Sequence, residues 1–227
     1  MNRLKLFIIL IIAAILSLPS MYIALIEISA NKGYPEAQCE LARWYDNGIW
    51  LHSVNTEKSL SWYLKSAKQD YPLAQYNLAL FYEKHGNYPN AVLWYSKAAS
   101  VGFPEAQNNL AVMYAKGRGV EKSLETAISW FEKAAKNGNA KAQFTLGVNY
   151  AKGEGLPANQ SLAAHWITLS ASQNFAPAQG YLALMYLEGT GVYKDSKQAL
   201  YWAKKSLSNG NKHAQDTITI INKMSSK

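Results

Sequence analysis

The sequence predicts an all-α solenoid of antiparallel helix pairs preceded by an N-terminal transmembrane helix. Three observations predict it. Tryptophan recurs at Trp94, Trp130, Trp166 and Trp202, thirty-six residues apart each time, with Trp62 thirty-two residues before Trp94. An Ala-Gln pair opens each copy, at Ala37-Gln38, Ala74-Gln75, Ala106-Gln107, Ala142-Gln143, Ala178-Gln179 and Ala214-Gln215. Arg3 and Lys5 precede an apolar stretch from Leu6 to Ile28 that is interrupted only by Ser17, Pro19, Ser20 and Glu27. Periods of this length mark stacked helical units, each of which buries its apolar face only against its neighbours.

The amino-terminal stretch is long enough to cross a bilayer, for which about twenty apolar residues suffice. A cleaved signal peptide would need small residues three and one positions before the cut, and the candidate sites place Leu18 or Tyr22 at the first of these. The expectation is an uncleaved signal anchor over residues 1–30, with Arg3 and Lys5 held in the cytoplasm by the positive-inside rule. In a two-membrane bacterium this places the protein in the inner membrane with its repeats in the periplasm; a cleaved signal and a soluble periplasmic or secreted protein is the alternative. Ser29-Ala30 and Gly33 match Ala98-Ala99 and Gly102, or Ala134-Ala135 and Gly138, in the repeat register. The end of the anchor therefore reads as the second helix of a truncated leading unit.

Residues 31–227 form the repeat array, with units opening near 37, 74, 106, 142 and 178. Five helix pairs are expected from about 36 to 210 and a capping helix over 212–225. Ala106, Leu110 and Tyr114 are four apart, so they share one stripe of a first helix, and every unit repeats that stripe. A turn follows: Gly117-Arg118-Gly119-Val120, Gly153-Glu154-Gly155-Leu156 and Gly189-Thr190-Gly191-Val192. Glycine there supplies left-handed backbone angles to reverse the chain. The second helix carries the tryptophan, read as an apolar wedge between pairs, and stops at Gly33, Asp70, Gly102, Gly138, Asn174 or Gly210. The second unit departs from the rest, since Lys84-His85-Gly86-Asn87-Tyr88-Pro89 replaces the double-glycine turn.

The pattern Ala-x-x-x-Leu-Gly/Ala-x-x-Tyr, Gly-x-Gly-Val, Trp-x-x-Lys-Ala-Ala-x-x-Gly resembles the Sel-one-like repeat, a relative of the tetratricopeptide repeat. The units opening at Ala106, Ala142 and Ala178 match it best. The resemblance implies a right-handed superhelix that binds a protein or peptide partner and scaffolds assemblies. Some periplasmic members resemble immunity proteins that neutralise secreted antibacterial lipases, and this layout suits that role. Cysteine-rich members associated with β-lactam hydrolysis carry paired cysteines per repeat; here Cys39 stands alone, which argues against transferring that activity.

Composition narrows the function further. The net charge of +8 comes from scattered lysines, with only Arg3, Arg43 and Arg118 as arginines, so no basic stripe for nucleic acid is present. His52, His85, His165 and His213 fall at four different repeat positions and form no ligand column for a metal. No acid, base and nucleophile converge, no cofactor motif is present, and a non-enzymatic protein is expected. Counting each opening Ala as zero, offset 6 lies opposite the core stripe, yet it is Leu80, Val112, Val148 and Leu184, with Arg43 in the first unit. Offset 2 supplies Tyr76, Asn108 and Phe144 beside them, and the two rings suit a groove for a peptide or helix. These eight residues are the candidate partner-binding set; the alternative is that the offset-6 column packs on an adjacent helix of the solenoid.

Overall fold

The computed structural model describes residues 19–50 and 52–225, and these are all helix, turn and loop. Twelve helices follow one another: α1 Pro19–Asn31, α2 Pro35–Asn47, α3 Thr56–Ala67, α4 Pro72–Lys84, α5 Tyr88–Ser100, α6 Pro104–Lys116, α7 Leu124–Lys136, α8 Ala140–Lys152, α9 Gln160–Ser172, α10 Ala176–Glu188, α11 Ser196–Ser208 and α12 Ala214–Ser225. Most of the expected anchor falls in residues 1–18, outside the described residues. Among the described residues no helix is long and apolar enough to cross a membrane.

The chain divides into two compact units, Met1–Ala98 and Ala99–Lys227, with α5 running across the division. In the first, α1 packs on α2, α2 on α3, α3 on α4, and α4 also on α2. In the second, α6 to α12 pack each on the next, and α10 also meets α12. Each unit is thus a stack of helix pairs in which first helices follow the first helices before them.

The local reasons recur from copy to copy. Pro35, Pro72 and Pro104 stand at the first helical position, where their missing N–H is no loss. Second helices start at Asn55, Ser123, Asn159 or Asp195, whose side chains accept from backbone N–H groups of the first turn. First helices α2, α6, α8 and α10 end at Gly48, Gly117, Gly153 and Gly189, all with positive φ. Trp50 takes the place of the second turn glycine and still adopts φ 61°. It lies edge-on to Trp44 and Tyr22, at ring separations of 6.4 and 6.2 Å.

The buried face of each first helix is broader than the expected stripe. Ala and Leu at offsets 0 and 4 are buried in all five units, each leucine contributing about 2 kcal/mol of apolar burial. Tyr at offset 8 is only half-buried. The Gln at offset 1 is buried instead, as are Ala42, Ala79, Ala111 and Ala183 at offset 5. Gly147 holds offset 5 in the fourth copy because a Cβ there would sit 2.6 Å from Ile167 Cγ1. The tryptophan reading needs a similar correction. Trp94 is buried, but Trp62, Trp130, Trp166 and Trp202 are half-buried, and the next residue, Tyr63, Tyr95, Phe131, Ile167 or Ala203, is the one fully enclosed. The open ring faces carry lysines: Lys65 Nζ lies 4.0 Å from the Trp62 ring centre and Lys133 Nζ 4.0 Å from that of Trp130.

The buried glutamine closes a polar clasp. Its side-chain amide donates to the carbonyl eight residues back: Gln38 to Ala30 at 3.1 Å, Gln107 to Ala99, Gln143 to Ala135 and Gln179 to Ala171 at 3.0 Å. Its oxygen accepts from an amide at the end of the next second helix, Gln69, Asn137, Gln173 and Asn209 respectively, at 2.8–2.9 Å. Each of these carbonyls also accepts a backbone N–H at the helix end, as Ala135 does from Gly138 at 3.1 Å, so the glutamine adds a second bond there and the Ala-Gln motif carries a hydrogen-bonding duty as well as a steric one.

Candidate functional site

A concavity of about 710 Å³ in the first unit runs from α1 across α2 to the start of α4. Helix α1 contributes Tyr22, Ile26 and Ser29; α2 contributes Glu36, Cys39, Glu40 and Arg43; α4 contributes Leu73 and Asn77. Tyr34 and Tyr71, the residues just before the helix-opening prolines, complete the rim.

Its charges are partly paired. Arg43 Nη2 lies 2.6 Å from Glu40 Oε1, which also accepts from Trp44 Nε1 at 2.9 Å. The hydrogen bond to Glu40 raises the Arg43 pKa, so its guanidinium stays charged. Glu36 makes no ion pair among the described residues. Cys39 is buried and accepts from Asn77 Nδ2 at 3.3 Å; burial pushes its thiol pKa up, with the Asn77 hydrogen bond working against the rise. A thiol held protonated in this way is a poor nucleophile. Burial also raises the Tyr71 hydroxyl, with a further push from the Glu36 carboxylate.

The eight candidate residues divide between the two units. In the first unit Arg43 lines the concavity, Leu80 is 37% exposed, and Tyr76 is half-buried with its ring 6.0 Å from that of buried Tyr95. In the second unit Leu184 is 39% exposed, while Val112 and Val148 are half-buried. Val112 packs against the core around Phe131 and Leu146, so part of its surface serves the interior. Asn108 is buried and donates to Asn109 Oδ1 at 3.1 Å. Phe144 is half-buried, edge-on to Phe175 at 5.6 Å and to Tyr181 at 6.0 Å.

Tyr22, Tyr34, Glu36, Glu40 and Tyr71 lie outside the columns at offsets 2 and 6, so the helical frame alone does not select them. For Tyr34 and Tyr71 the signal is the aromatic-Pro pairs Tyr34-Pro35, Tyr71-Pro72 and Phe103-Pro104, which repeat just ahead of the opening alanines. The histidines stay apart in role. His52 Nε2 pairs with Glu27 Oε1 at 3.0 Å, His85 Nδ1 meets the Phe81 carbonyl at 2.7 Å, and His165 stands edge-on to Trp166. Among the described residues no three His, Cys, Asp or Glu side chains gather as a metal site.

The Sel1 repeat profile matches residues 35–71, 72–103, 104–139, 140–175 and 176–211. No curated protein sequence matches the chain. The solved structure of a Sel1 repeat protein from Oxalobacter formigenes is 31% identical over 86% of this chain and 58% of its own, with a TM-score of 0.81. A protective antigen present in uropathogenic Escherichia coli strains, displaying an SLR fold, is 31% identical over 86% of this chain and 42% of its own, with a TM-score of 0.79. This chain therefore spans 58% and 42% of the length of these two relatives. An immunity protein from Pseudomonas aeruginosa shares the fold at 23% identity, covering 85% of this chain and 74% of its own with a TM-score of 0.60. With five consecutive repeats matched from residue 35 to 211, the chain belongs to the Sel1 repeat family.

Proposed function

We propose that this protein is a non-enzymatic, membrane-anchored scaffold whose right-handed repeat superhelix lies in the periplasm and binds a protein or peptide partner, not nucleic acid, through its first-helix faces. The observation that carries the reading is the exposure of large apolar side chains at offset 6, Leu80 and Leu184, on helices whose alanine and leucine faces are buried. The first-unit concavity adds aromatic and charged groups suited to peptide recognition. A protonated, buried Cys39 and dispersed histidines give catalysis no foothold.

The test is affinity purification of the full chain from its own membranes with Leu80→Arg and Leu184→Arg variants. Both sites are exposed, so the melting temperature should hold while partner recovery falls tenfold or more, on the order of 1.4 kcal/mol. Full recovery with both variants would remove the first-helix face from the interaction. For topology, an alkaline phosphatase fused after Lys227 should be active; an inactive fusion beside an active cytoplasmic reporter would put the repeats on the other side.

A second reading, immunity against a secreted lipase-type effector, draws support from the fold shared with the Pseudomonas aeruginosa immunity protein. It predicts that coexpression rescues growth of a cell carrying the effector in its periplasm. Under the general scaffold reading no such rescue occurs.

A further inference from the structure

Helix α1 stands where a second helix stands in every other copy. The clasp fixes the register: Gln38 donates to Ala30 as Gln75, Gln107, Gln143 and Gln179 donate to Ala67, Ala99, Ala135 and Ala171. Eight residues before those carbonyls lie Ser59, Ala91, Ala127 and Ala163, each 0% exposed; the equivalent Tyr22 is 42% exposed. Ile26 is half-buried where Tyr63, Tyr95, Phe131 and Ile167 are enclosed, and Ser29 is half-buried where Ser66, Ala98, Ala134 and Ser170 are sealed. Tyr22, Ile26 and Ser29 are spaced at i, i+4 and i+7, so they make one ridge, and that ridge is the α1 wall of the 710 Å³ groove. In the other copies a first helix packs on this surface, as α6 packs on α7 with Ala111 and Phe131 in one shared core.

We infer that this groove is a berth for an amphipathic helix of a partner protein, laid against α1 and α2 as a first helix lies in the other copies, and carrying basic side chains toward Glu36 and Glu40. The inference rests on the protein-binding reading above and names the form of the partner.

Neighbouring first helices define the register of such a helix. Cys39 at offset 2 of α2 meets Asn77 at offset 3 of α4, 3.3 Å away, and Asp46 at offset 9 meets Lys84 at offset 10, 2.8 Å away. An incoming helix in the same relation sets its offset 2 opposite Glu40 and its offset −2 opposite Glu36. Those two positions are four apart on one face, so a Lys or Arg at both meets both carboxylates. Glu36, without an ion pair among the described residues, gains most; Glu40 is shared with Arg43. A small residue at offset 0 and Leu at offset 4 would fill the apolar seam against Ile26, as in this chain's own first helices.

The probe is a helix-stapled peptide copying residues 139–153 of α8, with Lys at the places of Ala140 and Phe144, offered to the full chain in nanodiscs. A control peptide carries Glu at both places. Fluorescence anisotropy should show the Lys peptide binding at least tenfold tighter than the Glu peptide. Glu36→Lys should erase most of that preference, and Tyr22→Arg and Ser29→Arg should each weaken binding tenfold. Tyr193→Arg, at a 96% exposed site in the second unit and outside the berth, should leave peptide binding unchanged. Equal binding of the two peptides overturns the inference, as does binding indifferent to Tyr22→Arg and Ser29→Arg. Absence of binding also overturns it, whether a Ser29→Cys cross-link then finds residues 1–18 or a second copy seated in the groove. If Leu80→Arg abolishes recovery of the native partner while the berth variants do not, the berth fails and the wider protein-binding reading stands.

Discussion

Helices α4 and α10 open with the same Ala-Gln pair and carry the same buried alanine and leucine, yet the chain leaves them differently. After α10 it runs through Gly189-Thr190-Gly191 and returns at Asp195, whose N–H donates to the Tyr186 carbonyl at 2.9 Å. After α4 the turn is four residues shorter, and Asn87 N–H donates to the Tyr82 carbonyl, also at 2.9 Å. The first, third and fourth copies make the longer version of this link, Asn55 to Tyr45, Ser123 to Tyr114 and Asn159 to Tyr150. What the repeat requires of its turn is therefore a capping residue bonded to the offset-8 tyrosine carbonyl. Loop length is secondary, since each doubling of a loop changes closure by only about 0.6 kcal/mol.

The largest difference between the two turns should appear at their glycines. Gly191 and Gly86 both hold positive φ, 71° and 75°, so alanine at either is strained by about 1–2 kcal/mol. A Cβ on Gly86 would meet nothing within 4 Å, whereas one on Gly191 would run into the Gln160 carbonyl of the preceding helix pair. Backbone cannot step aside as a flexible side chain can. Gly191→Ala should cost on the order of 3 kcal/mol or more, and Gly86→Ala about 1 kcal/mol, read as shifts in urea midpoint. Equal shifts would mean that the longer turn is held no more tightly against its neighbour than the short one.

Much of this architecture is legible in the amino-acid sequence. Periodic Trp and Ala-Gln mark the helix pairs and their ends, because a repeated packing problem leaves a repeated answer at a fixed spacing. The short turn is visible at Lys84–Pro89 as well. Three things are not. The tryptophan can be placed between pairs but not ranked against the residue beside it, since a large ring with one face on lysine and one on the core has the same sequence signature as an enclosed one. Gln at offset 1 marks the start of each unit, but its hydrogen-bonding role depends on an amide thirty or thirty-one residues away. The third is exposure along the candidate columns: Arg43, Leu80 and Leu184 reach the surface, while Asn108 is buried and Phe144 is engaged by Phe175 and Tyr181. A 100° helical step tells which residues oppose the core stripe but not how wide the neighbouring helices make the core.

The smaller prediction concerns the clasp, which is complete around Gln143 and reduced around Gln75. Gln143 holds the Ala135 carbonyl at 3.0 Å and is itself held by Gln173 at 2.8 Å. Gln75 reaches the Ala67 carbonyl at 3.3 Å and turns its amide toward Asp70 Oδ1, also at 3.3 Å. The residue in the register of Gln173 is Val101, whose side chain has no amide to donate. Gln143→Ala would break two hydrogen bonds worth about 1 kcal/mol each, a cost of about 2 kcal/mol together, while the Ala135 carbonyl keeps the Gly138 N–H and the exposed Gln173 amide turns to water. Gln75→Ala breaks two longer bonds, one of them to an exposed aspartate that water can satisfy, and should cost about 1 kcal/mol. Hydrogen exchange gives the sharper reading, because local opening shows where the stability was lost. Amides at the end of α7 and the start of α8 should lose protection in Gln143→Ala, with those of α3 and α4 unchanged. Equal costs for the two substitutions would show that the second donor adds nothing, and that the glutamine matters only for the carbonyl it covers.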